Sequence, residues 1–427
     1  MRRFLRFLIT VTLVLAVLHA YVGWRLLPAL PMGMSGWIVG VALLALSTLL
    51  IPLGMLSRFV IPRQSLADRI TWAGSLAMGF FSSLLVLTAA RDIVLTLATA
   101  TTLVTPTAVL VPLLAALVTT IGFANARRLP RVVDVEIPLS RLPASLVGFT
   151  IVQISDIHVG STIKGDYVRA VVERVNSLDA DLIAITGDLV DGSVEQLSGD
   201  LAPLKQLTSR HGSYVVTGNH EYYSGAKAWV AEFERLGMHV LMNEHVVLDH
   251  DGARLLLAGV SDYSAQAFDS GQRSDPARAL AGAPEGVPRI LLAHQPRSSL
   301  AAAAAGFDLQ LSGHTHGGQF WPWTLLVRLQ QPYTAGLHRL GNLWVYTSRG
   351  TGYWGPPKRF GAPAEITRIR LVDTTSSPQR PTLAERRAGQ LGAEGDEQPA
   401  DAAGGRRGEA LAAAELSRQM SAAEDQH

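Results

Sequence analysis

Apolar and polar positions divide the chain into two unlike parts. Residues 7–24, 26–57, 70–90 and 93–126 contain no Asp, Glu, Lys or Arg. A helix crosses a bilayer with about 20 predominantly apolar residues. Each stretch can hold one span, although the first is short and the last two lie close together. Four such runs in succession are poorly explained as buried core helices. Arg2, Arg3 and Arg6 precede the first run as they would in a signal peptide, but no small-residue cleavage site closes it. The pattern predicts a transmembrane region of about four retained helices over residues 1–130.

From 131 to 373, short apolar runs alternate with segments of helical spacing. Phe149–Ser155, Asp181–Gly187 and Ser213–Asn219 read as strands, as do residues 254–260, 289–295, 307–313, 343–348 and 365–372. Between the first three, residues 167–178 and 194–207 are compatible with helices, the second interrupted by Pro203. Such alternation favours a layered α/β domain over 131–373. Beyond it Ala, Glu, Gln, Arg and Gly dominate without a sustained apolar face. A disordered tail is expected over 374–427, with residues 409–420 able to form a transient helix.

Composition narrows the chemistry. A length of 427 residues exceeds one ordinary compact domain. The formal net charge of +2 lacks the basic excess of a dedicated nucleic-acid binder, so no nucleic-acid partner is expected. The chain has no cysteine, which excludes disulfides, thiolate metal ligands and a cysteine nucleophile. Any metal site must use His, Asp, Glu, Asn or water.

The strand ends carry that chemistry. The first strand runs out into Asp156-Ile157-His158, the second into Gly187-Asp188, and the third into Gly218-Asn219-His220-Glu221. A later strand delivers His294, and the next delivers His314 and His316 within Leu311–Phe320. Alternate residues of an extended segment point to one side, so His314 and His316 can aim at one site. Alone, that pair is equally a polar turn. Sites in open α/β sheets gather outside the carboxyl ends of strands, and five successive ends bearing Asp, His or Asn are hard to assign to helix capping.

These motifs resemble the calcineurin-like metallophosphoesterases. The family signature stands here complete and in order as Asp156-Ile157-His158, Gly187-Asp188, Gly218-Asn219-His220-Glu221, Ala293-His294 and Gly313-His314-Thr315-His316. The likeness covers about residues 148–371. The variants around His294 and His316, with the late stretch 348–360, look like a bacterial membrane-anchored phosphodiesterase branch. The resemblance implies a catalytic fold of two β-sheets sandwiched between helices. It also implies two divalent metal ions (Mn, Fe, Zn or Co), since such pairs, roughly 4 Å apart, serve phosphoryl transfer by activating a water. On that reading Asp156, His158 and His316 hold the first ion, Asn219, His294 and His314 the second, and Asp188 bridges both. His220 falls where the family places a histidine near the leaving-group oxygen.

Other residues keep two readings. Asp191 and Glu221 are either partners that orient the ligating histidines or ordinary loop charges. Arg349, Lys358 and Arg359 could meet substrate phosphate, with surface solvation the preferred expectation. His211, His239, His245, His250 and His338 match no motif and read as structural or exposed. The apolar stretch 320–329 reads as core, with a lip dipping into the membrane interface as the alternative.

Three arginine clusters, at residues 2–6, 58–69 and 127–131, precede the first span, separate the second from the third, and follow the fourth. The tendency of positive residues to stay inside then predicts a multi-pass protein of the inner (plasma) membrane with a cytoplasmic catalytic domain. The expected partners are the lipid bilayer and a phosphoester, either lipid-linked or soluble. The expected activity is metal-dependent hydrolysis of a phosphodiester or pyrophosphate. The alternatives are a catalytically inactive metal-binding scaffold and a regulatory domain on a channel or transporter. Absence of charge inside the spans favours anchoring over transport.

Overall fold

A computed structural model describes residues 2–99 and 101–374. Four long helices open the chain: α1 (Arg2–Leu26), α2 (Met34–Val60), α3 (Gln64–Ala98) and α4 (Val104–Arg127). All four are long and apolar enough to cross a membrane. The connections between them are only a few residues long, so neighbouring helices run antiparallel. Small residues let α2 and α3 approach closely. A Cβ on Gly74 would stand 2.8 Å from the Cα of Gly54, and one turn away Ser57 Oγ lies 2.7 Å from Thr71 Oγ1. Leu13, Val17, Leu49 and Leu113 point outward from the bundle, as lipid-facing positions should.

The third and fourth helices depart from the expected spans. Sequence places a connection at Arg91-Asp92, yet α3 runs through both residues to Ala98. The charges are tolerated there because Asp92 meets Arg25 of α1 at 2.7 Å and Arg91 at 3.4 Å. A carboxylate paired with two arginines near a helix end needs no loop.

The rest of the described chain builds two six-stranded sheets. The first contains β1 (Arg131–Leu139), β2 (Thr150–Ile154), β3 (Leu182–Ile185), β4 (Ser213–Val215) and β5 (His239–Val240). The second contains β6 (Glu244–His250), β7 (Ala253–Gly259), β8 (Arg289–Leu292), β9 (Leu309–Ser312), β10 (Gly336–Leu340) and β11 (Leu343–Thr347). The last strand, β12 (Glu365–Asp373), returns to the first sheet. The orders are β1-β12-β2-β3-β4-β5 and β10-β11-β9-β8-β7-β6.

Between the sheets lies a dry core that includes Ile151, Leu182, Leu257, Ile290, Leu309 and Ile369. Helices α5 (Gly165–Asn176), α6 (Val194–Leu201), α7 (Asn219–Ser224) and α8 (Ala226–Arg235) follow strands of the first sheet. Val168, Val171, Val172 and Val175 form the inward stripe of α5 against that sheet. Pro203 ends α6, and a 3₁₀ turn (Ala202–Gln206) continues it. Thus the expected two-sheet sandwich flanked by helices, preceded by four apolar helices, is the architecture observed. Strands β2, β3 and β4 are mutually parallel, as are β7, β8 and β9. Their carboxyl ends all open toward one region. The tail expected after residue 373 falls, from residue 375 on, outside the described residues.

Candidate metal centre

Five of those strand ends meet. Asp156 and His158 follow β2, Asp188 follows β3, Asn219 follows β4, His294 follows β8, and His314 with His316 follows β9. Asp156, His158 and His316 bring one ligand atom each within 4.8 Å of one another, and so do Asp188, His294 and His314. His158 Nε2 stands 3.0 Å from His316 Nε2, and His314 Nδ1 stands 3.2 Å from His294 Nε2. Nitrogens bound to one ion at roughly 2.0–2.1 Å are held about 2.9–3.4 Å apart for bond angles between 90° and tetrahedral. Both pairs fall inside that interval. Asn219 Oδ1 lies 3.2 Å from His294 Nε2. The Asp188 carboxylate lies between the clusters, with Oδ2 3.1 Å from His294 Nε2 and 3.8 Å from His158 Nε2.

The backbone is strained to hold this arrangement. Asp156, His158, Asp188, His314 and His316 all have positive φ, between 50° and 69°, a region costly for residues with a Cβ. Neighbouring glycines are required by close approach. A Cβ on Gly313 would lie 2.0 Å from Ser155 Oγ and 2.2 Å from Asp156 Oδ2. One on Gly218 would lie 2.1 Å from Asp188 Oδ1. Such strain concentrated at one set of polar residues marks a functional site.

Partners around the cluster fix its rings. His294 Nδ1 lies 2.7 Å from the Thr186 carbonyl, so it donates there and turns Nε2 toward Asp188. Asp191 Oδ1 accepts from His158 Nδ1 at 3.2 Å and from His220 Nδ1 at 2.5 Å. Glu221 accepts the backbone N–H groups of Gly218, Asp188 and Leu189 at 2.6–2.9 Å, locking the loop that presents Asp188. The loop-charge reading of Asp191 and Glu221 therefore gives way to the positioning one.

Charge follows from burial and neighbours. Burial and the His294 charge push His314 down to about 3. Burial and the Arg359 guanidinium hold His316 well below the usual imidazole range. Both rings are neutral at pH 7, the form that ligates a metal. Burial favours neutral His294 and His220 as well, but facing carboxylates overcome it. Asp188 lifts His294 well above its ordinary value, and Asp188 with Asp191 raises His220 to about 9. Burial likewise opposes ionisation of Asp188, yet His294, His220 and His158 hold it well below the carboxylate range. Protons on His294 and His220 thus balance the buried carboxylates, and a cation at Asp188 would take over that role. Geometry, donor set and charge all fit a two-ion site.

Lys358 and Arg359 correct the sequence expectation. Neither is solvated and neither lines the cavity; both are buried. Lys358 Nζ reaches the Gly79 carbonyl at 2.8 Å and Ser83 Oγ at 2.5 Å on α3. Arg359 Nη1 donates to the His316 carbonyl at 2.8 Å, and Nη2 stands 3.0 Å from His316 Nδ1. Arg349 pairs with Glu365 at 2.7 Å. Of the apolar stretch after the histidine pair, only Phe320 is buried, while Trp321, Leu325 and Leu329 are exposed, which favours the lip. The unassigned histidines are structural: His211 meets His250 at 3.0 Å, His245 and His338 meet backbone carbonyls, and His239 stacks on Tyr214. Sequence reading missed Met78 and Ser82 of α3 and Trp354, all of which line the cavity over the site. An apolar span carries no mark that distinguishes a cavity wall from a lipid-facing residue.

A profile of the calcineurin-like phosphoesterases matches residues 149–318. A transmembrane protein with metallophosphoesterase domain from Bos taurus is 42% identical over 275 residues, 61% of this chain and 62% of that one. Its Danio rerio counterpart is 39% identical over 271 residues and is likewise spanned over 62% of its length. The chain therefore covers less than two thirds of these two relatives. An uncharacterised metallophosphoesterase of Aquifex aeolicus is 31% identical over 223 residues, 52% of this chain and 84% of that one. Among solved structures, Haemophilus influenzae NAD nucleotidase aligns with a TM-score of 0.36 and 17% identity over 58% of this chain and 56% of that one. With its strand-end histidines and carboxylates assembled in the family's order, the chain belongs to the calcineurin-like metallophosphoesterases.

Proposed function

We propose that the chain is a membrane-anchored, dinuclear metal-dependent hydrolase of phosphodiester or pyrophosphate bonds, of the bacterial membrane-anchored phosphodiesterase kind. One observation carries this reading: two clusters of His and Asp lie side by side, with Asp188 Oδ2 3.1 Å from His294 and 3.8 Å from His158 and with His220 beside them. Asp156, His158 and His316 would hold one ion, Asn219, His294 and His314 the other, and Asp188 both. Imidazole and carboxylate donors without thiolate suit Mn, Fe, Zn or Co. Bound ions supply charge neutralisation of the phosphoryl oxygens and acidification of water.

The remaining work falls to the chain. His220 donates Nδ1–H to Asp191, which leaves Nε2 to hold the proton that the leaving oxygen takes up. Glu221 keeps the Asp188 loop in place through three N–H bonds. Trp354, 5.8 Å from the His220 ring, forms part of the cavity wall.

The test is Asp188→Ala in the full chain, with metal content measured beside turnover of a phosphodiester. Loss of metal at both sites together with activity is expected. A variant retaining two metals and normal turnover would refute the ligand assignment. We place the domain in the cytoplasm, on the inner membrane, from the three arginine clusters. A reporter active only in the cytoplasm, fused after Asp373, should be on, and a reporter active only outside should be silent; the reverse pattern moves the site to the outer face.

A further inference from the structure

The metal centre opens into a cavity of about 490 Å³ with two unlike ends. His158, Asp188, His220 and His314 form the polar end, while Met78, Phe320, Trp323 and Val327 form the other. Met78 belongs to a membrane helix, so the wall of the site is partly built by the bilayer-spanning region. The seam is fastened: Trp323 Nε1 donates to Ser82 Oγ of α3 at 2.9 Å.

Depth along α3 sets where this mouth sits. Counted from the charged Arg91-Asp92 pair, Ser82 and Met78 lie 9 and 13 residues back, about 14 and 20 Å at 1.5 Å per residue. The hydrocarbon core of a bilayer is about 30 Å thick. The apolar end therefore lies against the apolar part of α3, which is long enough to cross a membrane, within reach of lipid. Beside it runs a lip of exposed apolar side chains, with Trp321 and Leu325 each 55% and Leu329 81% exposed. Apolar groups left in water next to a membrane bundle are explained by contact with lipid.

Charge points the same way. Among the described residues lining the cavity there is no lysine or arginine. Lys358 and Arg359, the cations closest in sequence to its Trp354 and Pro356, are committed to carbonyls and hydroxyls of the protein. A soluble substrate bearing several phosphates would call for such cations; one ester on an apolar chain does not.

Resting on the metallophosphoesterase reading above, we infer that the substrate is a membrane lipid phosphoester, its chain lying between α3 and the Phe320–Val327 segment. In the reaction a water oxygen bonds to phosphorus, the P–O bond to the leaving group breaks, and the leaving oxygen gains a proton.

The probe is a series of p-nitrophenyl phosphodiesters bearing methyl, octyl or hexadecyl as second ester. They are assayed with the full-length, metal-loaded chain in phosphatidylcholine vesicles. Burial gains about fourfold per methylene, so if half of the seven added methylenes enter the groove, kcat/KM rises about 100-fold from methyl to octyl. A flat series with the methyl ester turned over would overturn this inference and leave the hydrolase reading standing. Loss of turnover on every ester would overturn both.

Partition into the vesicle is the same for any variant, so Val327→Asp separates groove from membrane. The octyl-to-methyl ratio should fall at least tenfold, and an unchanged ratio refutes the groove. Should that variant not fold, a long-chain ester with a terminal diazirine tests the wild type. Labelling within 78–82 or 320–327 is expected, and labelling confined elsewhere sinks the proposal.

Discussion

Asp191 offers the sharpest test of how this site is held. A single oxygen, Oδ1, accepts from His220 Nδ1 at 2.5 Å and from His158 Nδ1 at 3.2 Å. Asp191→Asn keeps an acceptor of the same shape and removes the charge. A hydrogen bond to a charged group is worth about 1–1.5 kcal/mol more than a neutral one, so each contact loses that amount. At 1.4 kcal/mol per decade this is about 5- to 12-fold for each ring. The two rings report separately. The His220 share should appear as a 5- to 12-fold loss of kcat at saturating metal. The His158 share should appear as a similar loss of metal affinity, at the lower end of the 10- to 100-fold usual for partners of ligating histidines.

The sign in pH follows from the same contact. Burial lowers the His220 pKa, Asp188 and Asp191 raise it, and the balance stands at about 9 in the metal-free chain. Taking away one carboxylate lowers it, so the alkaline limb of the rate profile should move to lower pH. In a His220→Ala background the turnover share must vanish while the affinity share persists. Equal turnover losses in both backgrounds would show that Asp191 acts by some route other than these two bonds.

His220→Ala should leave two metals bound and lower turnover about 10²- to 10⁴-fold, the range for a lost proton-transfer group; loss of metal in inductively coupled plasma analysis would make His220 a ligand instead. Gly313→Ala places a methyl 2.2 Å from Asp156 Oδ2, so Asp156 must move. We expect the first metal to be lost and the stability to fall by about 1–3 kcal/mol of overpacking, read from thermal or denaturant unfolding, and a variant with both metals and wild-type stability would refute the close-packed geometry.

The site was more legible than its surroundings, for a physical reason. Each ligand stands directly beyond a strand whose apolar run is visible in the sequence, so strand and chemistry are read together. Strands β1, β5, β6 and β10 were missed because β5 is two residues long and the others are mostly only partly buried and interleave charges, as in Asp134 and Glu136. The α3 boundary was misplaced because Arg91-Asp92 looks like a loop until Arg25, 67 positions from Asp92, is seen to pair with that carboxylate. Lys358 was read as solvated because the carbonyl that receives it belongs to Gly79, 279 positions away. Local pattern reveals what a residue offers; its partner, when distant, decides what it does.

Those distant partners join the two halves of the chain. Arg58 of α2 donates to the carbonyl of Asp191, the residue that aligns His158 and His220. Met78 and Ser82 of α3 wall the cavity, and Gly79 with Ser83 receives Lys358. The Gly122 carbonyl of α4 accepts the Arg359 N–H at 2.8 Å, and Asn125 donates to the Arg359 carbonyl at 3.2 Å. Arg359 in turn lies against His316, so two of the four helices, α2 and α4, reach an immediate partner of a metal-site residue, and α3 walls the cavity. The buried charge of Lys358 is met by a carbonyl and a serine hydroxyl of α3 and by Thr119 of α4. A tether needs only a covalent link and a few polar contacts at its root. Buried cations and a shared cavity wall require the helices to keep one position relative to the catalytic sheets, with α3 forming part of the wall of the site.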